Sequence, residues 1–176
     1  MNEFFIHYDQ NLENDAYKLA INGLRVLSSP IATKWGFVLI NSLTRIMCSQ
    51  ESPLTVAAAF QSLMFVADSI SRLGGIKPIS ERNMMLVSLV NQYFEPPPAS
   101  KKLLHDVMIS AFVGTLQQKN AEVSEILVRH SWFAFDIIIK SMQIILQRNN
   151  MLDEAVPRST RFCEETGGVS YNLEYF

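Results

Sequence analysis

Apolar residues fall three and four apart along most of this chain, and Ser-Pro pairs, a Gly-Gly and a Pro-Pro-Pro cut the pattern into segments. That combination permits few folds, because each segment buries one helical stripe and each break forces a turn. Leu12, Ala16, Leu19, Ala20, Leu24 and Leu27 mark a first helix. Ser28-Ser29-Pro30 supplies a capping serine and a first-turn proline for a second, with Phe37, Ile40, Leu43, Ile46 and Met47 on one face. Ser52-Pro53 repeats the signal for a third, carried by Ala57, Phe60, Leu63, Met64, Ala67, Ile70 and Leu73 up to Gly74-Gly75. A shorter fourth runs from the cap region Ser80 to Asn83 through Met84, Val87, Leu89, Val90 and Phe94, and Pro96-Pro97-Pro98 forbids its continuation.

From Ser100 a fifth helix holds Leu103, Leu104, Val107, Met108, Ala111, Phe112, Thr115 and Leu116, ending in the polar run Gln117 to Asn120. A sixth starts near Glu122 and passes through Ile126, Trp132, Phe133, Ile137, Ile138, Met142, Ile145 and Leu146 before Asn149-Asn150. Residues Trp132 to Ile139 are nearly all apolar, which predicts that the middle of this helix is covered on more than one side. The expected fold is all-α, built of stacked helical hairpins as a short armadillo-like α-solenoid of about six helices over residues 1–149. No strict repeat separates that solenoid from an isolated bundle. Residues 150–176 turn polar around Pro157, Gly167 and Gly168 and are expected to form a poorly ordered tail.

With 48% hydrophobic residues in 176, the chain can build a single core. Fifteen basic against seventeen acidic residues give a net charge of −2, so no basic field is present to hold a phosphate backbone, and nucleic acid is not an expected partner. The stretch Trp132 to Leu146 is short for a bilayer and is broken by Asp136, Lys140, Ser141 and Gln143, so direct membrane insertion is not expected. The start lacks a positive n-region and a sustained apolar run, and Cys48 and Cys163 are too few for a disulfide framework. These features set the expectation of a cytoplasmic protein.

Chemistry-bearing patterns are sparse. His7, His105 and His130 lie far apart in sequence and form no metal-ligand spacing. Gly74-Gly75 lacks the Lys-Ser/Thr of a phosphate loop, and no G-x-S-x-G elbow occurs. Neither catalytic residues nor a cofactor are expected. The most unusual segment is Arg129 to Met142, where Trp132, Phe133 and Phe135 sit beside Asp136 and Lys140, a carboxylate and an amine one turn apart that can meet on one helix face. Aromatics at helical spacing usually pack in a core, and Trp132, Phe133, Phe135, Ile138 and Met142 are expected to hold the sixth helix there. The other reading makes the three aromatics a ridge for a partner.

The segment Ser131-Trp132-Phe133-Ala134-Phe135-Asp136-Ile137-Ile138-Ile139-Lys140-Ser141-Met142 resembles the S-W-F-F-F-x-x-x-x-K-S-M helix of the DOCK (dedicator of cytokinesis) family. Asn2-Glu3-Phe4-Phe5, Leu104-His105-Asp106 and Pro157 to Phe162 add similarity, nearest to the zizimin subfamily. Ala134 stands where the family usually has an aromatic, which implies local repacking, and Cys163 to Phe176 does not continue the family pattern. The resemblance implies a non-catalytic helical scaffold segment lying between a C2-type domain and the exchange domain of a guanine nucleotide exchange factor for Rho-family GTPases. A Cdc- or Rac-type GTPase would then be met only through that exchange domain, which is absent from the segment. Self-association and adaptor proteins are the further partners expected. The alternative is a free-standing helical adaptor that binds a partner helix in a groove between hairpins.

Overall fold

A computed structural model describes residues 21–73, 81–97, 102–118 and 120–148, and among them no strand occurs. Five helical elements follow the helical residues 21–23 and a 3-10 turn at Leu24–Val26: α1 (Ser29–Ser49), α2 (Pro53–Arg72), α3 (Met84–Ser88, continued by a π turn at Leu89–Tyr93), α4 (Leu104–Leu116) and α5 (Ala121–Arg148). The described residues up to Met142 belong to one compact unit, and Gln143 opens a second. The rest of the expected first helix, Gly74-Gly75 and the tail from 150 lie outside the described residues.

Local chemistry sets most boundaries. Ser52 caps α2 by accepting the Thr55 N–H, and Pro53 occupies the first helical position. Asn83 starts α3 by accepting from both Met85 and Leu86, and Asn120 starts α5 by accepting from Val123. Ser28 stands at the cap of α1 as expected, but its hydroxyl makes no capping bond, and Pro30 marks that start instead. The expected fourth helix is shorter than its apolar positions suggest. Asn41 of α1 donates its amide to the Tyr93 carbonyl and accepts the Glu95 N–H, seizing the chain where it leaves the π turn. Phe94, read as helical, is thereby extended backbone with its ring buried.

α1 and α2 form an antiparallel hairpin joined by residues 50–52. Gly36 lets them approach closely, since a Cβ there would lie 3.0 Å from Ile70 Cδ1 and 3.3 Å from Leu89 Cδ1. α2 lies at the centre of the unit, with Phe60, Leu63, Met64, Val66, Ala67 and Ile70 all buried. Its length and hydropathy would suit a membrane crossing, yet most of it is enclosed by the other helices. The helix covered on several sides is therefore α2. In α5 the buried positions Ile126, Leu127, His130, Phe133, Ala134, Ile137, Ile138 and Ser141 form one stripe, while Val128, Phe135, Ile139 and Met142 face outward. Double cover of α5 is thus corrected: a lone stripe at spacings of three and four fixes it to the stack.

α5 is also not one straight helix. His130 leaves helical backbone angles, at φ −113° and ψ 16°, and the Ser131 hydroxyl bonds the Val128 carbonyl at 3.0 Å. A side chain inserted into the backbone ladder is a recognised cause of a helix kink.

Candidate functional site

α2 is apolar enough that an unpartnered polar side chain on it is costly, and Gln61, Ser62, Asp68 and Ser69 each tie α2 to another element. Near its middle, Gln61 accepts from Arg25 at 2.6 Å and donates to Gln118 at 2.8 Å. Ser62 and Ser69 donate to the carbonyls of Ile21 and Leu27, fastening the segment before α1. Asp68, the sole charged residue between Pro53 and Ile70, is 3% exposed and meets His130 at the kink of α5, with His130 Nε2 3.0 Å from Asp68 Oδ1. Arg72 reaches the other carboxylate oxygen at 2.6 Å, and Arg129 stands 3.8 Å away while bonding Glu125 at 2.8 Å.

Burial alone would push the Asp68 carboxyl up, but the His130 hydrogen bond and the charges of Arg72 and His130 outweigh it and hold the group below the usual aspartate range. A carboxylate only accepts, so the ring nitrogen facing it carries the proton. The second ring nitrogen, Nδ1, is buried and has no hydrogen-bond partner among the described residues. This cluster joins residues 62 positions apart and was not read from the sequence. The available signal was a single acid inside an otherwise apolar helical run.

The residues singled out in α5 separate by face. Phe133 is fully buried; Trp132 is half-buried, edge-on to Phe133 at 6.0 Å between centroids. Phe135 and Met142 are 47% and 44% exposed, which corrects their assignment to the core: they lie opposite the stripe that α5 buries. Phe135 still touches Phe112 at 5.3 Å, and Phe112 meets Phe60 at 6.2 Å, so an aromatic file leads from the core to the surface. Ala134 is fully buried, leaving no space for the aromatic that the DOCK-like pattern carries at that place.

Asp136 pairs with Arg82, 3.5 Å away across the stack, and not with Lys140 as expected. Arg82 also lies over the Trp132 ring, 5.4 Å from its centroid. Trp132 and Asp136 are one turn apart, so a single guanidinium serves the ring and the acid together. Burial raises the Asp136 carboxyl above its ordinary value, and Arg82 offsets only part of that.

No group of His, Cys, Asp and Glu among the described residues is arranged to hold a metal ion. A groove of about 700 Å³ opens between the start of α2 and α4, with Val56, Ala57, Val107 and Ala111 in its walls and Glu51 and Asp106 at one end. Gly114 borders it, and a Cβ at that position would meet nothing within 4 Å among the described residues.

Among known proteins, a family model described as DOCK6-11, TPR domain, matches residues 21–170. No curated protein and no solved structure matches the chain.

Proposed function

The chain belongs to the DOCK6-11 TPR-domain family, and from that premise we propose that it is a non-catalytic helical scaffold portion of a DOCK-type guanine nucleotide exchange factor for Rho-family GTPases. Exchange on Cdc- or Rac-type GTPases falls to a separate exchange domain of the parent protein. This portion contributes to small-GTPase signalling in the cytoplasm by holding flanking domains apart at a fixed geometry. Asn2 to Phe5 and Pro157 to Phe162 favour a zizimin-like member.

The observation that carries this reading is the use made of polar side chains. Asp68, His130 and Gln61, polar groups buried in mutual contact with their partners, are spent joining one helix to the next. None of them lines the groove between α2 and α4, and acid-base or nucleophilic work calls for such groups to converge on a cleft. A scaffold needs such ties, because they fix the register between helices that apolar contact alone leaves adjustable.

Nucleotide exchange on Cdc- and Rac-type GTPases tests the proposal, with the purified 176-residue chain set against a longer chain that includes the exchange domain. Release of labelled GDP is expected only with the longer chain. Release by the shorter chain alone would overturn the scaffold reading and turn attention to the exposed faces of α4 and α5.

A further inference from the structure

We infer that the outward face of α5, with the neighbouring ridge of α4, is where a second copy of this chain docks, the two α5 helices lying antiparallel about a two-fold axis. Every exposed residue from Val128 to Met142 is large and apolar: Val128, Phe135, Ile139 and Met142. With the half-buried Trp132 among them, they recur at alternating spacings of four and three residues. That is the spacing of a helix seam that packs against another helix, and it lies on the side of α5 opposite its buried stripe. The kink at His130 does not turn Val128 inward, since that residue is 59% exposed.

α4 widens this face. Ile109, Val113 and Leu116, each about half-exposed, form a ridge at spacings of four and three, and Phe112 joins it to the seam through the 5.3 Å contact with Phe135. The other exposed residues of that stretch, Ser110 and Gly114, carry no charge. Together the seven exposed apolar residues offer roughly 700 Å² per copy, near the ~800 Å² that each partner of a standard stable interface buries and more than the largest apolar patch of a typical monomer. Closing this face strands few charges. Asp136 at its border is paired with Arg82 and Arg129 with Glu125, and the stem of Lys140 is long enough to keep its ammonium in water.

The seam fits a second copy because a two-fold interface needs a surface that complements itself. In antiparallel order the fours of one helix meet the threes of the other, so Trp132 of one copy faces Phe135 of the other and Val128 faces Ile139, each pair twice. Large rings then meet at the axis, with branched side chains on either side. This register also brings Asp136 beside Arg129 of the other copy, whereas sliding the pair by one heptad towards Met142 sets the two Asp136 carboxylates against each other. Burial holds the Asp136 carboxyl above its ordinary value and Arg82 offsets only part of that, so a further cation beside it is favourable.

Sedimentation equilibrium of the whole chain is expected to show a mass that rises from 20.0 kDa with concentration and levels off at two copies. Val128→Lys and Ile139→Glu, both at exposed positions, should each weaken pairing at least about tenfold, because a lone charge enters an apolar layer. Mixed in equal amounts, these two variants should pair one to one and at least about tenfold more tightly than either alone. The introduced amine then meets the introduced carboxylate across one layer, and the opposite layer is unchanged. Ile139→Lys mixed with Ile139→Glu should stay unpaired, since those two positions do not meet. Circular dichroism checks that each variant is folded, and if one is not, the wild-type mass still decides. A wild-type mass fixed at 20.0 kDa overturns the inference and leaves the face to a helix of another chain. So does a mass that climbs past two copies, failure of the first mixture to pair, or pairing in the second.

Discussion

Asp68 is subject to two opposing forces, one from removal of water and one from the His130 hydrogen bond and the Arg72 charge that face it. The second wins, so the folded-state carboxyl titrates below its unfolded value. Its share of the stability is therefore complete above the ordinary aspartate value of 3.8 and is lost as the pH falls through the lowered value. Asp68→Ala leaves the buried His130 ring N–H without its acceptor and is expected to cost about 1–3 kcal/mol at pH 7. Urea melts should show the gap from wild type closing below about pH 4; a gap independent of pH would mean that lost packing, not charge, is the cause. Asp136 has the opposite sign: its raised carboxyl makes ionisation in the folded state unfavourable, so stability from this group declines as the pH rises past the ordinary aspartate range. Asp136→Asn should stay within about 1 kcal/mol of wild type at neutral pH, since Arg82 is half-exposed and its pair is weak. The aromatics allow a sharper contrast. Phe133→Ala should cost about 3–5 kcal/mol in chemical melts, and Phe135→Ala no more than about 1.5 kcal/mol, the value of its contact with Phe112. The sequence marked both rings equally, because a stripe of apolar letters does not tell which side of it meets the neighbouring helix.

At the scale of the element, the helices were legible because their signals are local. Ser52-Pro53 lies within the cap that it forms, and the spacing in α2 and α4 is the spacing of their buried faces. The kink in α5 was not legible, since it depends on Ser131 capturing the Val128 carbonyl while Asp68, from another helix, holds the neighbouring His130. Nor was the clamp of Asn41 on Tyr93 and Glu95, which stops α3 early from 52 residues away. The central place of α2 does have a sign in the sequence: from Val56 to Ala67 the run is apolar on nearly every face, as a helix enclosed by others must be. Gly36 decides how near α1 comes to it. Gly36→Val drives a branched side chain into Ile70 and Leu89 and should cost about 1–3 kcal/mol in thermal or urea melts, despite the better helix propensity of valine. Stability equal to wild type would show that the two neighbours yield without strain.

At the scale of the molecule, the outward residues Ile109, Val113 and Leu116 of α4 and Val128 and Ile139 of α5 are each about half-exposed or more. An apolar surface of that kind favours association. The purified chain is expected to sediment with an apparent mass that rises with concentration above 20.0 kDa, and Val113→Lys with Ile139→Glu should restore the monomer. A wild-type mass that does not change with concentration would show this surface to be inert. The arrangement around α2 reaches further than the surface does. In a linear array each layer touches only its neighbours, so layers can unzip from an end. Here the segment before α1, the end of α4 and the kink of α5 are all bonded to α2 side chains, and none can separate without breaking a tie to the same helix. Deuterium should therefore enter the α2 backbone only when the whole unit opens. Its slowest amides would report the global unfolding free energy, and damage to any one layer would register there at full strength.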